Sequence, residues 1–231
     1  MSINREIVLD TETTGLSPQT GDRIVEIGCV ELVNHLPTGK SYHTYINPER
    51  DMPEGAFRVH GLSEEFLAEK PLFSEIAGEF SRFIGDSTLI IHNAPFDMGF
   101  LNAEFERLQR PFLRNPVIDT VQLARENHPG ARVSLDALCK IYGIDNSRRA
   151  LHGALLDSEI LAEVYLELIG GRQTGLSLSS TNTRPAQSTA RTQHGPRPNR
   201  IASVLSDEQI TAHKKLLESL DKKPIWAKYA E

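Results

Sequence analysis

Cysteine is scarce in this 231-residue chain: there are two, Cys29 and Cys139, set among apolar neighbours and never in C-x-x-C spacing. That pattern excludes a disulfide scaffold and a zinc site, and it reads as small core fillers in a reducing compartment. Long apolar runs are also missing, which argues against a membrane span. No signal-peptide pattern precedes the first strand-like segment, and the expected location is cytoplasmic. Net positive charge is the third thing lacking. Residues 170–200 carry five arginines and no acid, residues 201–231 balance five lysines against five acids, and the whole chain is −6, which leaves −11 on residues 1–169. So acidic a segment has no broad basic face for phosphates. If it handles nucleic acid, bound cations, a few local contacts or a partner must deliver the strand.

What is present divides into three parts. Residues 1–169 predict strands over Arg5–Asp10, Arg23–Val33 and Tyr42–Ile46, an antiparallel meander rich in β-branched residues. Helical spacing follows at Phe73, Ile76, Ala77, Phe80 and Ile84. Strands over Thr88–His92 and Val117–Asp119 then alternate with helices through Asp97–Leu108, Thr120–Asn127, Ser134–Tyr142 and Gly153–Ile169. This order predicts an α/β domain, a mixed sheet covered by helices. Residues 170–200 turn to Ser, Thr, Gln, Pro, Gly and Arg, too polar to offset their ordering entropy, and read as a flexible linker. In residues 201–231, Ser206 stands three before Gln209 in capping-box spacing, and Ile210, His213, Leu217 and Leu220 follow at helical intervals. The single tryptophan, Trp226, lies just beyond. Thirty residues cannot bury a core of their own, so this tail is expected to fold against a partner.

Three short stretches carry chemistry. In Asp10-Thr11-Glu12, alternation along a strand puts both carboxylates on one face, with Ile7, Leu9 and Thr11 on the other. Carboxylates held side by side repel each other, and a divalent cation, magnesium or manganese for oxygen ligands, relieves this. A strand end meeting solvent would also carry acids. In Ile91-His92-Asn93-Ala94-Pro95-Phe96-Asp97, an apolar strand runs into a helix start and leaves Asp97 near the sheet's carboxyl edge, where ligands bind in open α/β sheets. The plainer account is a helix-start carboxylate favoured by the dipole. In Leu151-His152-Gly153-Ala154-Leu155-Leu156-Asp157, the five-residue spacing converges only if His152 lies in the loop and Asp157 a turn inside the helix. A loop histidine near reactive water can serve as a general base.

Together the three stretches resemble the DEDD exonuclease superfamily in its DEDDh branch. Thr11-Glu12-Thr13-Thr14-Gly15, Val59-His60-Gly61 and Ser134-Leu135-Asp136-Ala137-Leu138-Cys139 add to the likeness, and the phrasing is most similar to proofreading (epsilon) subunits of bacterial replicative polymerases. The resemblance spans about residues 5–170. It implies an RNase H-like fold and 3′→5′ hydrolysis of DNA ends with two divalent cations, Mg2+ or Mn2+. Asp10 would bridge both ions, Glu12 and Asp157 would complete one site, Asp97 would hold the second ion, and His152 would take the proton of the attacking water. The resemblance further implies contacts to the terminal nucleotide from Asp10, Glu12, Thr13, Val59, His60, Phe96 and Asp157. One departure is Gly55, where the family often has an acid; Glu54 lies one residue earlier and is assigned no contact. The tail, with Ile210, Leu217, Leu220 and Trp226, would bind the polymerase catalytic (alpha) subunit. Gln173, Leu176 and Leu178 resemble a short sliding-clamp motif. An RNA-trimming DEDDh exonuclease shares the same constellation, and a silent polymerase–clamp adaptor is the non-enzymatic alternative.

Overall fold

The computed structural model describes residues 4–149, 151–170 and 206–219, which fall into two units. Gln173, Leu176, Leu178, Leu220, Trp226 and the side chain of Leu217 lie outside the described residues, and with them the clamp motif and most of the expected polymerase anchors.

Five strands form one mixed sheet in the order β3-β2-β1-β4-β5: β1 (Arg5–Thr13), β2 (Ile24–Val33), β3 (Leu36–Tyr45), β4 (Thr88–Ile91) and β5 (Val117–Asp119). The β1–β2 and β2–β3 pairs are antiparallel, and β1–β4 and β4–β5 are parallel. This is the mixed α/β sheet expected from the meander followed by alternating elements. The β3 strand starts six residues before the expected Tyr42. Asn34 and His35 both take positive φ, which makes a tight two-residue hairpin turn. Pro37 and Gly39 discourage a strand reading, yet β3 is an edge strand, where a missing N–H costs little.

Two helical layers cover the sheet. Alternation along β1 sends Ile7 and Leu9 to one face, where they pack with Phe73, Phe80 and Ile84 of α3 (Phe73–Ile84) and with Phe100, Leu101 and Phe105 of α4 (Ala94–Arg107). Val8 and Ile90 point the other way, onto α5 (Thr120–Asn127), α6 (Leu135–Tyr142) and α7 (Ala154–Leu168). Cys29 and Cys139 are free thiols buried in these two cores. Two further helices precede α3, α1 (Glu54–His60) and α2 (Glu64–Ala68), and periodicity does not predict them. They are too short for a hydrophobic repeat. Their boundary signals are Gly61 at φ 73 closing the first, and the Ser63 hydroxyl accepting from Phe66 N–H at the start of the second.

Buried polar pairs fix how the layers meet. Arg23 at the entry to β2 donates to Glu104 of α4 through a two-bond fork, Nε to Oε1 at 2.6 Å and Nη2 to Oε2 at 2.8 Å, and Glu104 is 2% exposed. Glu104→Ala leaves the guanidinium without its fork in a poorly solvated place, and urea unfolding is expected to record a loss of about 3–5 kcal/mol. On the opposite face, Tyr165 of α7 donates to the buried Glu6 carboxylate at 2.9 Å.

In the second unit, α8 (Asp207–Glu218) opens on the capping box: the Ser206 hydroxyl accepts from Gln209 N–H, and Gln209 Oε1 accepts from Ser206 N–H at 3.0 Å. Ile210 and Leu216 are exposed on it. Among the described residues no helix is long and apolar enough to cross a membrane.

Candidate active site

Asp10 and Glu12 project from the carboxyl end of β1 on the face that α7 covers. Opposite Asp10 in the β1–β2 register stands Gly28, and a Cβ there would lie 2.2 Å from the backbone of Ala154 and Leu155. The missing side chain therefore lets the first turn of α7 lie directly on the sheet. Ser158 Oγ locks that approach by donating to Gly28 C=O at 2.9 Å. One turn into α7, Asp157 is thereby delivered beside β1.

His152 sits in the loop before α7, whose N-cap is Gly153, so the convergence the spacing required is met. The loop is tied down by His152 N–H donating to Val59 C=O at 3.1 Å. Glu12, His152 and Asp157 each present a ligand-capable atom, all within 4.8 Å of one another. His152 Nδ1 and Asp157 Oδ2 are 3.3 Å apart.

Asp97 arrives from the other layer. Asn93 takes a left-handed conformation (φ 70) between β4 and α4, and its N–H donates to Asp119 Oδ1 at 3.1 Å. That sharp turn sets Asp97 in the first turn of α4, where Thr11 Oγ1 donates to its Oδ1 at 2.7 Å. Four carboxylates from β1, α4 and α7 thus meet at the sheet's carboxyl edge, with His152 at the rim. The structure brings these five residues together.

Their electrostatics follow from the crowding. Burial, and then the charges of Asp97, Glu12 and Asp157, hold the Asp10 carboxyl well above the usual range. Burial and the neighbouring Asp157 and Glu26 push Glu12 up to about 8. Burial lifts Asp97 to about 7, against the Thr11 hydrogen bond, which lowers it. A carboxylate cluster under such strain fits a divalent cation, whose charge offsets the repulsion and whose oxygen preference matches the donors.

A stability prediction comes from the same shifts. In the unfolded chain Asp97 and Glu12 release protons near 3.8 and 4.5, so at intermediate pH the folded state binds more protons than the unfolded one. Without metal, the cluster's contribution to stability therefore falls as pH rises from about 4 to about 8. With chelator present, urea midpoints should decline across this window, and Glu12→Gln should flatten the decline. An unchanged slope in the variant would contradict the raised carboxyl.

Next to the carboxylates, Glu12, Thr13, Val59, His60 and Phe96 line one cavity of about 460 Å³, with the exposed Leu16 at its mouth. His60 accepts from Leu62 N–H at Nδ1, and burial lowers its pKa, so its ring is neutral with the proton on Nε2.

Two residues at the site were missed from sequence. Glu26 is paired across the strands with Glu12, is buried, and lies 2.7 Å from His43 Nε2. An acid inside the apolar run Ile24-Val25-Glu26-Ile27 was the available signal. Arg149, in the loop after α6, donates to both Asp157 oxygens. No motif in the sequence marks it.

The chain matches the RNase_T exonuclease family over residues 7–165. The DNA polymerase III subunit epsilon of Escherichia coli is 45% identical over 232 residues, covering 96% of each chain. That of Rickettsia prowazekii is 61% identical over 178 residues, covering 75% of this chain and 78% of the relative. Among solved structures, exonuclease X in complex with 5′ overhanging duplex DNA superposes with a TM-score of 0.58 at 26% identity, over 71% of this chain and 90% of that one. The nuclease domain of 3′hExo, a DEDDh family member bound to rAMP, gives 0.64 at 17% identity over 72% and 92%, a likeness of fold.

Proposed function

The chain belongs to the RNase_T exonuclease family and to the DNA polymerase III epsilon subunits within it, and on that premise we propose how its residues carry out 3′→5′ proofreading hydrolysis of DNA. The observation that supports the reading most is the convergence of Asp10, Glu12, Asp97 and Asp157 from three separated elements beside a loop histidine.

Asp10, Glu12 and Asp157 would hold one divalent ion, with Asp10 and Asp97 holding a second, Mg2+ or Mn2+ in each case. Paired cations supply stabilisation of the entering and leaving oxygens in an in-line displacement at phosphorus. The chain supplies the rest. His152, 47% exposed at the rim, takes the proton of the attacking water. The cavity beside Glu12 receives the terminal nucleotide: Phe96 and Val59 offer apolar surface for the base, and Thr13 and the His60 loop hold the sugar end. Stacking and wedging of this kind tolerate any base, which suits an enzyme that must remove whichever nucleotide was misplaced. A frayed, mismatched end enters such a cavity more readily than a paired one.

The tail after residue 200 docks on the polymerase, and tethering gives an acidic nuclease a high effective concentration of primer end. The Gln173, Leu176 and Leu178 segment binds the sliding clamp. Deleting residues 201–231 should leave nuclease turnover on free single strands within about twofold while abolishing co-purification with the polymerase catalytic subunit; retained co-purification would defeat the docking claim. The function itself is tested on the purified chain with end-labelled matched and mismatched DNA primers and an RNA strand. Mismatched DNA ends should be shortened fastest in Mg2+. Faster loss of the RNA would favour an RNA-trimming role.

A further inference from the structure

A cation built into the chain touches two residues of this centre, Asp157 and His152. Arg149 Nε donates to Asp157 Oδ1 at 2.5 Å and Nη2 to Asp157 Oδ2 at 2.7 Å, so one guanidinium fork engages both oxygens. The same Nη2 lies 2.6 Å from His152 Nδ1, and Nη1 donates to Asp136 Oδ1 at 2.8 Å. The Arg149 side chain is 9% exposed, and the Asp136 side chain that anchors its outer edge is 53% exposed.

Two consequences follow from guanidinium chemistry. It is always charged and donates only. First, Nη2 contacts both His152 Nδ1 and Asp157 Oδ2, on two of the three residues whose ligand atoms lie within 4.8 Å of one another. A divalent ion on Asp157 Oδ2 and this guanidinium would be like charges in contact, so each excludes the other. Second, the guanidinium nitrogen 2.6 Å from His152 Nδ1 occupies the position through which that ring nitrogen would meet water.

We propose that Arg149 is the resident counter-cation of the centre, a positioning residue that holds Asp157 and His152 idle and yields Asp157 to an incoming divalent ion. Its contact with Asp136 braces the guanidinium in place on Asp157. Loading the ion and freeing the histidine are then one event, because a single side chain blocks both. The inference rests on reading Asp157 as a metal ligand and His152 as the base.

Calorimetric titration of the full-length chain with Mn2+ tests it. Arg149→Gln should bind Mn2+ about tenfold more tightly than wild type, the effect of removing one competing unit charge a few ångströms from the ion. Arg149→Lys keeps the charge and should stay within about threefold of wild type. Asp136→Asn alters an exposed carboxylate that serves as no ligand, and by loosening the arginine it should tighten Mn2+ binding about threefold. Unchanged or weaker binding by Arg149→Gln overturns the proposal, since an arginine that merely braces the loop would leave affinity equal or lower. Should that variant fail to fold by circular dichroism, Asp136→Asn decides on the same criterion. If wild type takes up no Mn2+, or takes it up equally after Glu12→Gln, the metal-site reading itself fails and the counter-cation role falls with it. Normal Mn2+ uptake with no gain in Arg149→Gln sinks the counter-cation role alone.

Discussion

Asp10→Asn should lower hydrolysis of single-stranded 3′ ends by at least about a thousandfold, while the metal-free protein unfolds at a higher temperature than wild type. Both halves come from one fact. Asp10 is the carboxylate on which the charges of Asp97, Glu12 and Asp157 all converge, in a place with little solvent. Removing its charge takes away the position that would face both ions, and a lost ligand forfeits several kcal/mol of transition-state stabilisation. The same removal relieves repulsion that Arg149 offsets only in part. A stabilised but inactive variant is the signature of a group kept for chemistry at the expense of stability. Turnover on labelled oligonucleotide and a thermal melt in chelator read the two halves separately. Activity within tenfold of wild type would remove Asp10 from the centre, and a lower melting temperature would contradict the crowding.

The second large effect is expected at His152. Its backbone N–H is tied to Val59 C=O and its side chain is 47% exposed, so truncation to alanine should leave the fold intact. His152→Ala is expected to lower turnover about a hundredfold or more, the usual contribution of a positioned general base. Mn2+ affinity should hardly change, because the oxygen donors of Glu12 and Asp157 remain. A large fall in Mn2+ affinity would instead make His152 a ligand, an arrangement that its 3.3 Å approach to Asp157 also allows.

Much of this architecture could be read from local pattern, because the signals lie within single elements. Period-two alternation along Arg5–Thr13 places Asp10 and Glu12 on one face and Thr11 on the other, and the structure has Thr11 bonded to Asp97 on the α4 side. The five-residue spacing let His152 and Asp157 converge only with His152 in the loop, and the structure has it there. What escaped was non-local. Gly28 in a strand has several readings, and only the approach of α7 reveals why no side chain fits there. Glu26 is a site neighbour through a cross-strand register that no single segment encodes. Arg149 sits eight residues from its partner Asp157, in a loop whose path is set by α6 and α7. The early start of β3 was hidden by Pro37 and Gly39, residues tolerated because that strand is an edge.

The most direct test of the account is anomalous diffraction from crystals of the protein soaked in Mn2+. Two peaks should appear among the carboxylates of Asp10, Glu12, Asp97 and Asp157, with the Arg149 guanidinium withdrawn from Asp157. Manganese bound elsewhere, or nowhere, with the four carboxylates unengaged, would contradict it.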